Sequence, residues 1–271
     1  MSTFDLGNSG TAIRAAAEAG RRALIGYLPV GYPDVPTSIE AMKVLGQGCD
    51  IVEIGMPYSD PMMDGPTVET AGTRALARGV RTKDVFRAAE ALAAQGTTPV
   101  VMTYWNLVER YGCDAFARDL AAAGAAGVIT PDLIPDEAED WMAASQAHNL
   151  DRIFLVSPSS TDERILSTVA ACRGWLYATS IMGVTGTRAH TSAAAPELVA
   201  RIRALHDQVP VGIGLGVSNA EQARETAAFA DAVIVGSALV RTLLEADEAG
   251  RPSDLTALET LVGQLAEGVR S

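Results

Sequence analysis

Apolar residues recur along this chain in two rhythms. Eight short runs are rich in β-branched or other apolar residues: 24–30, 50–56, 99–104, 127–131, 152–156, 175–180, 210–215 and 232–235. Runs of this length bounded by turn residues read as buried strands. Between them, apolar positions return every three or four residues, the period of a helix with one buried face. Several helix starts are marked. Ser160 with Glu163, and Ser218 with Glu221, have the spacing of a capping box. Thr82 reads as another N-cap, and Pro135 as the first-turn proline of a helix carrying Ala138, Trp141 and Met142. Leu255, Leu258, Leu261 and Leu265, following Ser253 as N-cap, predict a final amphipathic helix.

Strand–helix alternation repeated eight times implies parallel strands joined by crossover helices. Eight units in this length fit a closed α/β barrel, a (β/α)8 TIM barrel, better than an open doubly wound sheet. No linker interrupts the pattern, so residues 1–271 read as a single domain, with an extra N-terminal helix before the first strand. Gly212-x-Gly214-x-Gly216 lacks the G-x-G-x-x-G spacing of a dinucleotide fold. One connection breaks the rhythm, because the path from Met56 to the strand at Pro99 is far longer than the others. It begins with a proline-rich loop, 57–66, after the second strand. Loops that follow barrel strands build the active face, so this one reads as a lid or a partner surface.

Composition narrows the chemistry. The 271 residues carry 21 basic and 33 acidic side chains, a net charge of −12. Such a surface repels polyanions, so nucleic acid is not an expected partner. No apolar run reaches membrane-spanning length, and the first residues lack the pattern of a secretory signal, which predicts neither membrane nor export. Cys49, Cys113 and Cys172 are odd in number and far apart, and read as free thiols of a reducing, cytoplasmic compartment.

Lys43 and Lys83 are the only lysines, and both fall in helical segments rather than at strand ends, which disfavours Schiff-base chemistry. His148 and His206 fall near helix C-termini and His190 stands alone in a loop, so no histidine metal site is expected. Carboxylate acid–base catalysis remains. In the run 50–56, alternation puts Val52, Ile54 and Met56 on one face and Ile51, Glu53 and Gly55 on the other. The all-apolar face suits the helix layer, which turns Glu53 into the barrel, where burial raises a carboxyl pKa. Asp60 and Asp64 lie in the long loop, and either could supply a second carboxylate. Three late strand exits are glycine-rich: Gly183–Gly186, Gly214–Gly216 and Gly236-Ser237. Bare backbone N–H groups there, with a helix N-terminus, can hold a phosphate without a cationic side chain.

The run Val52-Glu-Ile-Gly-Met-Pro-Tyr-Ser-Asp-Pro-Met-Met-Asp-Gly65 resembles the signature of the tryptophan synthase α-subunit family. Tyr27-Leu-Pro-Val-Gly-Tyr-Pro33, Tyr104-Trp-Asn106, Gly183-Val-Thr-Gly186, Gly214-Leu-Gly216 and Gly236-Ser-Ala238 extend the resemblance over most of the chain. It implies a lyase that cleaves indole-3-glycerol phosphate by retro-aldol chemistry to indole and glyceraldehyde 3-phosphate, in tryptophan biosynthesis. It places the catalytic pair on Glu53 and Asp64. Tyr27, Met102, Tyr177 and Thr185 then contact the substrate, and Gly186, Gly216, Gly236 and Ser237 its phosphate. Pro57, Asp60, Pro61, Asn106 and Asp132 match the docking surface for a β subunit. The family assembles as an α2β2 heterotetramer whose pyridoxal phosphate sits in β, so neither cofactor nor metal is expected in this chain. Two positions depart from the signature, Met63 beside Asp64 and Leu215 at a commonly aromatic position. Three other readings stay open: a stand-alone lyase, a sugar-phosphate isomerase on the same barrel, and a non-catalytic activator of a β subunit.

Overall fold

The computed structural model describes residues 4–179 and 194–270. A first helix α1 (Gly7–Glu18) precedes β1 (Ala23–Pro29), α2 (Val35–Leu45) and β2 (Ile51–Gly55). Then come α3 (Pro66–Ala77), α4 (Thr82–Ala94), β3 (Thr98–Met102), α5 (Trp105–Tyr111), α6 (Cys113–Ala122) and β4 (Gly127–Ile129). A 3-10 turn (Pro135–Glu137) and α7 (Glu139–Ala147) lead to β5 (Asp151–Ile153), β6 (Leu155–Val156), α8 (Asp162–Ala171) and β7 (Leu176–Thr179). The chain ends through α9 (Ala194–Leu205), β8 (Val211–Gly214), α10 (Ala220–Ala227), β9 (Ala232–Val235), α11 (Ser237–Glu248) and α12 (Thr256–Gly268).

All neighbouring strands pair in parallel, in the order β5-β4-β3-β2-β1-β9-β8-β7-β6. The two ends of that order, β5 and β6, are halves of one stave separated only by Phe154. The lower half pairs with β4 and the upper half with β7, which brings the sheet round into a TIM barrel of eight staves. Strand alternation then sorts the apolar residues into two clusters. Val52, Ile54, Val101 and Val233 pack under the helices, while Ile25, Ile51, Val100, Ile129, Trp175 and Ile234 fill the barrel.

The expected N-terminal helix is present and closes the barrel floor, with Ile13 and Ala16 joining the inner cluster. Its start is pinned by the fully buried Asp151, which accepts from the backbone of Asn8 at 3.3 Å and of Ser9 at 2.7 Å, and from Ser9 Oγ at 2.6 Å. Gly7 has φ +47°, and a Cβ there would fall 1.7 Å from Asp151 Oδ1, so the turn into α1 requires glycine.

Helix starts shift by one to four residues from the sequence marks, mostly later. Thr161, not Ser160, caps α8 by accepting from Arg164 N, while the Ser160 hydroxyl is engaged by Ser157 N in the preceding turn. Asn219, not Ser218, caps α10, and Ser218 donates to Gln222 instead. Arg81 rather than Thr82 is the N-cap of α4, with its N–H held by Asp84. Pro135 opens the 3-10 turn ahead of α7, and Asp254 rather than Ser253 accepts from the first residue of α12. The long connection after β2 holds a loop, residues 56–65, and two helices rather than one. The added helix α3 is tied to α11 through Tyr32, whose hydroxyl donates to Asp247 at 2.8 Å and accepts from Arg74 at 3.2 Å. Arg78 also reaches Asp247 at 3.0 Å.

Candidate active site at the barrel mouth

Glu53 stands at the middle of β2, in register with Tyr27 on β1 and Val100 on β3. It is 1% exposed, and its Oε2 has no hydrogen-bond partner among the described residues. Burial, and secondarily the Asp64 charge, push its pKa up to about 8. The alternation within β2 therefore has the orientation read from the sequence, with Val52 and Ile54 under the helices and Glu53 inside.

Tyr27 leans across the exit of β2. A Cβ at Gly55 would lie 2.3 Å from its hydroxyl, so this glycine leaves room for the ring, whereas a Cβ at Gly236 would only touch it, at 3.4 Å from Cδ1. Burial first, then the Asp64 and Glu53 charges, raise the Tyr27 phenol well above its ordinary pKa. Tyr177 on β7 is raised by burial and then by Glu53, and its hydroxyl passes over Gly214, where a Cβ would come within 2.8 Å. Met102 ends β3 opposite Gly55 and packs against the inner cluster. Tyr27, Met102 and Tyr177 thus stand on inward-facing strand positions around Glu53.

Asp64 comes from the loop, half-buried. Burial raises its pKa, the Tyr104 hydroxyl works in the opposite direction, and Glu69 adds a smaller upward push. Tyr104 donates to Asp64 Oδ1 at 3.4 Å and accepts from the backbone of Met62 and Met63 at 3.1 and 3.0 Å. The departure at Met63 therefore meets this contact through its backbone, which any residue there but proline supplies. Leu215, the other departure, is half-buried and packs against the outer core. Sequence reasoning quoted Tyr104 but gave neither it nor Tyr58 a role. The only signal was an aromatic at a strand exit, which says nothing about its partner.

Gly216 has φ +69° and so shapes the turn after β8. Gly236 is the N-cap of α11, whose first turn has no acidic residue and no side-chain cap, leaving backbone N–H groups around Ser237 available to an anion. Thr185 and Gly186, with Gly183 and His190, lie outside the described residues.

Of the five expected docking residues, Pro57, Asp60 and Pro61 fall on the loop after β2, Asn106 on the first turn of α5 and Asp132 on the loop after β4. Pro57 and Pro61 are half-buried, and Asp60, Asn106 and Asp132 are exposed. Asp132 accepts from Trp105 N at 3.0 and 3.1 Å, which holds the start of α5. Asn106 donates to the Tyr58 hydroxyl at 3.1 Å.

Elsewhere, His148 follows α7 and pairs with Asp114 at 2.9 Å, and His206 follows α9 and packs against the Phe4 ring. All three cysteines are free; Cys49 and Cys172 are buried and Cys113 half-buried. Among the described residues no helix is long and apolar enough to cross a membrane, and no group of three or more acidic, histidine or cysteine side chains is placed to hold a metal ion.

The family model described as tryptophan synthase alpha chain matches residues 13–270. The tryptophan synthase alpha chain of Mycobacterium avium is 59% identical over 262 residues, which cover 96% of this chain and 94% of that one. A solved structure of Mycobacterium tuberculosis tryptophan synthase superposes with a TM-score of 0.92 at 56% identity, covering 98% of this chain and all of that one. The tryptophan synthase subunit alpha of Legionella pneumophila, at 31% identity, still gives 0.84 over 97% of this chain and 98% of its own. With its model matched over nearly the whole length and the barrel retained, the chain belongs to the tryptophan synthase alpha chain family.

Proposed function

We propose that this chain, working as one barrel domain over residues 1–271, is the lyase that cleaves indole-3-glycerol phosphate to indole and glyceraldehyde 3-phosphate in tryptophan biosynthesis. The observation that carries the reading is Glu53, a carboxyl inside the barrel with one oxygen unpartnered among the described residues and a pKa of about 8, raised by burial and then by the charge of the half-buried Asp64.

At neutral pH a carboxyl of that pKa holds its proton, which is the state a general acid needs. Glu53 gives the proton to indole C3. Aromaticity is lost, positive charge develops at the ring nitrogen, and ionised Asp64 stabilises it there. The Glu53 carboxylate then takes the hydroxyl proton from the glycerol carbon attached to C3. As the C=O of the aldehyde forms, the C3–carbon bond breaks and its electron pair restores the indole. Glu53 ends protonated, ready for another cycle, and no metal or redox group enters the balance. Tyr27, Met102 and Tyr177 line the indole side in this reading, and Thr185 contacts the substrate. Gly186, Gly216, Gly236 and Ser237 take the phosphate, which the α11 N-terminus favours.

The partner is a β subunit that carries pyridoxal phosphate, in an α2β2 heterotetramer of the cytoplasm. The loops holding Pro57, Asp60, Pro61, Asn106 and Asp132 face it. The test is indole release from indole-3-glycerol phosphate, with and without the β subunit. Glu53→Gln should lower kcat by about 10²–10⁴-fold, the usual worth of a positioned proton-transfer group. Full indole production by that variant in the complex would mean that the acid lies elsewhere. An absence of indole from the unmodified chain under both conditions would overturn the lyase.

A further inference from the structure

Asp64 has no strand beneath it. It is carried by the loop 56–65, so neighbouring side chains must fix where its carboxylate stands. The only side-chain hydrogen bond recorded to it among the described residues comes from Tyr104, whose hydroxyl also accepts from the Met62 and Met63 backbone. Tyr104 is 6% exposed and can serve as an anchor only if its ring is held. One face of that ring meets Tyr58, with centroids 4.8 Å apart and planes tilted by 30°. Tyr58 is in turn held by its own hydroxyl, which accepts from Asn106 Nδ2 at 3.1 Å on the first turn of α5. The contacts form a closed circuit: the loop sends Tyr58 out to α5, and Tyr104, just before α5, reaches back to the same loop.

We propose that Tyr58 is a positioning residue for Asp64, its ring bracing Tyr104 and its hydroxyl locking that brace to Asn106. This rests on the lyase reading above and adds a residue to it. A phenylalanine at 58 would keep the ring and lose the lock, whereas a leucine would lose both. The effect on Asp64 has a readable sign. The Tyr104 hydroxyl favours ionised Asp64 against burial and Glu69. A loosened Tyr104 therefore lets the Asp64 pKa rise, and the ionised form needed opposite the ring nitrogen is lost sooner as pH falls. Glu53 and Tyr27 also interact electrostatically with this carboxylate, and among the described residues neither is hydrogen-bonded to Tyr58.

The experiment measures steady-state indole release from indole-3-glycerol phosphate by the full chain, alone and with the β subunit, across pH. Tyr58→Phe should lower kcat/KM by about fivefold, the scale of one net hydrogen bond. The loss should fall mainly on kcat, and the acidic limb of the profile should move to higher pH. Tyr58→Leu should lose roughly a further tenfold, as a displaced catalytic group does. In the chain alone, Tyr58→Phe combined with Asn106→Ala should be no worse than either single change, because both break one bond. Thermal unfolding of each variant separates positioning from folding. The inference is overturned if Tyr58→Phe and Tyr58→Leu keep the unmodified profile. It is equally overturned if their losses follow lowered thermal stability while the acidic limb stays put. Failure of the unmodified chain to make indole under either condition would instead overturn the lyase reading itself.

Discussion

At Glu53 the proposed chemistry and the stability of the protein are opposed. A folded-state pKa near 8, against 4.5 in an unfolded chain, means that the native protein holds a proton the denatured protein releases between those values. Stability therefore falls as pH rises from about 4.5 to about 8 through this one group. At pH 7 the penalty is roughly 3 kcal/mol, at about 1.4 kcal/mol per pK unit. Glu53→Gln removes the titration, so we expect it to be slow in catalysis yet more stable than the unmodified chain, with the gap widening between pH 5 and pH 8. Denaturant unfolding at the two pH values checks this, and parallel curves would show that Glu53 is not held protonated. Gly55 tests the space above it. A Cβ 2.3 Å from the Tyr27 hydroxyl must displace that ring, so Gly55→Ala should cost about 1–3 kcal/mol of stability. It should also raise KM for indole-3-glycerol phosphate, measured alongside unfolding. Glu53 was legible in the sequence because period-two alternation fixes which way a strand residue points. Tyr58 and Tyr104 were not, because nothing local in a loop says which side chain its neighbour will meet.

Elements were legible by rhythm and less so at their ends. Strand runs such as 50–56 are buried on both faces, and only one face of that run is apolar throughout, which settles which face meets the helices. Caps are decided by which hydroxyl the chain turns toward the third helical N–H, and adjacent Ser160 and Thr161 offer two equally good acceptors on paper. The N-terminal helix is the element most dependent on one distant side chain. Its first backbone N–H groups find their acceptor in Asp151, on β5, and its Ile13 and Ala16 then cover the barrel floor. Asp151→Ala should therefore leave the buried Ser9 donors and the partly buried Asn8 N–H without their acceptor and destabilise the fold by about 2–4 kcal/mol. We expect the variant to be cut by protease within residues 7–18 sooner than the unmodified chain, with denaturant unfolding giving the magnitude. Equal protection of α1 in both proteins would mean that packing alone holds it.

On the scale of the whole molecule, eightfold alternation determined the barrel, because parallel strands with covering helices have few ways to close. What rhythm could not show was how the extra length after β2 divides, since a second helix and a longer loop consume residues alike until packing against α11 selects the helix. Charge is the other global property, and it bears on how a phosphorylated substrate arrives. The net charge of −12 repels an anion at long range, while the described part of the proposed phosphate cradle offers backbone N–H groups at the start of α11 rather than a clamp of cationic side chains. The two designs respond to salt with opposite signs. Screening shortens from about 30 Å at 10 mM salt to about 8 Å at 150 mM, which suppresses the distant repulsion and barely touches short hydrogen bonds in a partly buried cradle. We therefore expect kcat/KM for indole-3-glycerol phosphate to hold level or rise, by up to about threefold, over that range, because the overall field opposes association. An arginine or lysine clamp would instead attract the substrate through the same field and make kcat/KM fall as salt is added. Initial rates at a fixed pH across that salt series distinguish the two, and a steep fall would mean that the phosphate is held by cationic side chains.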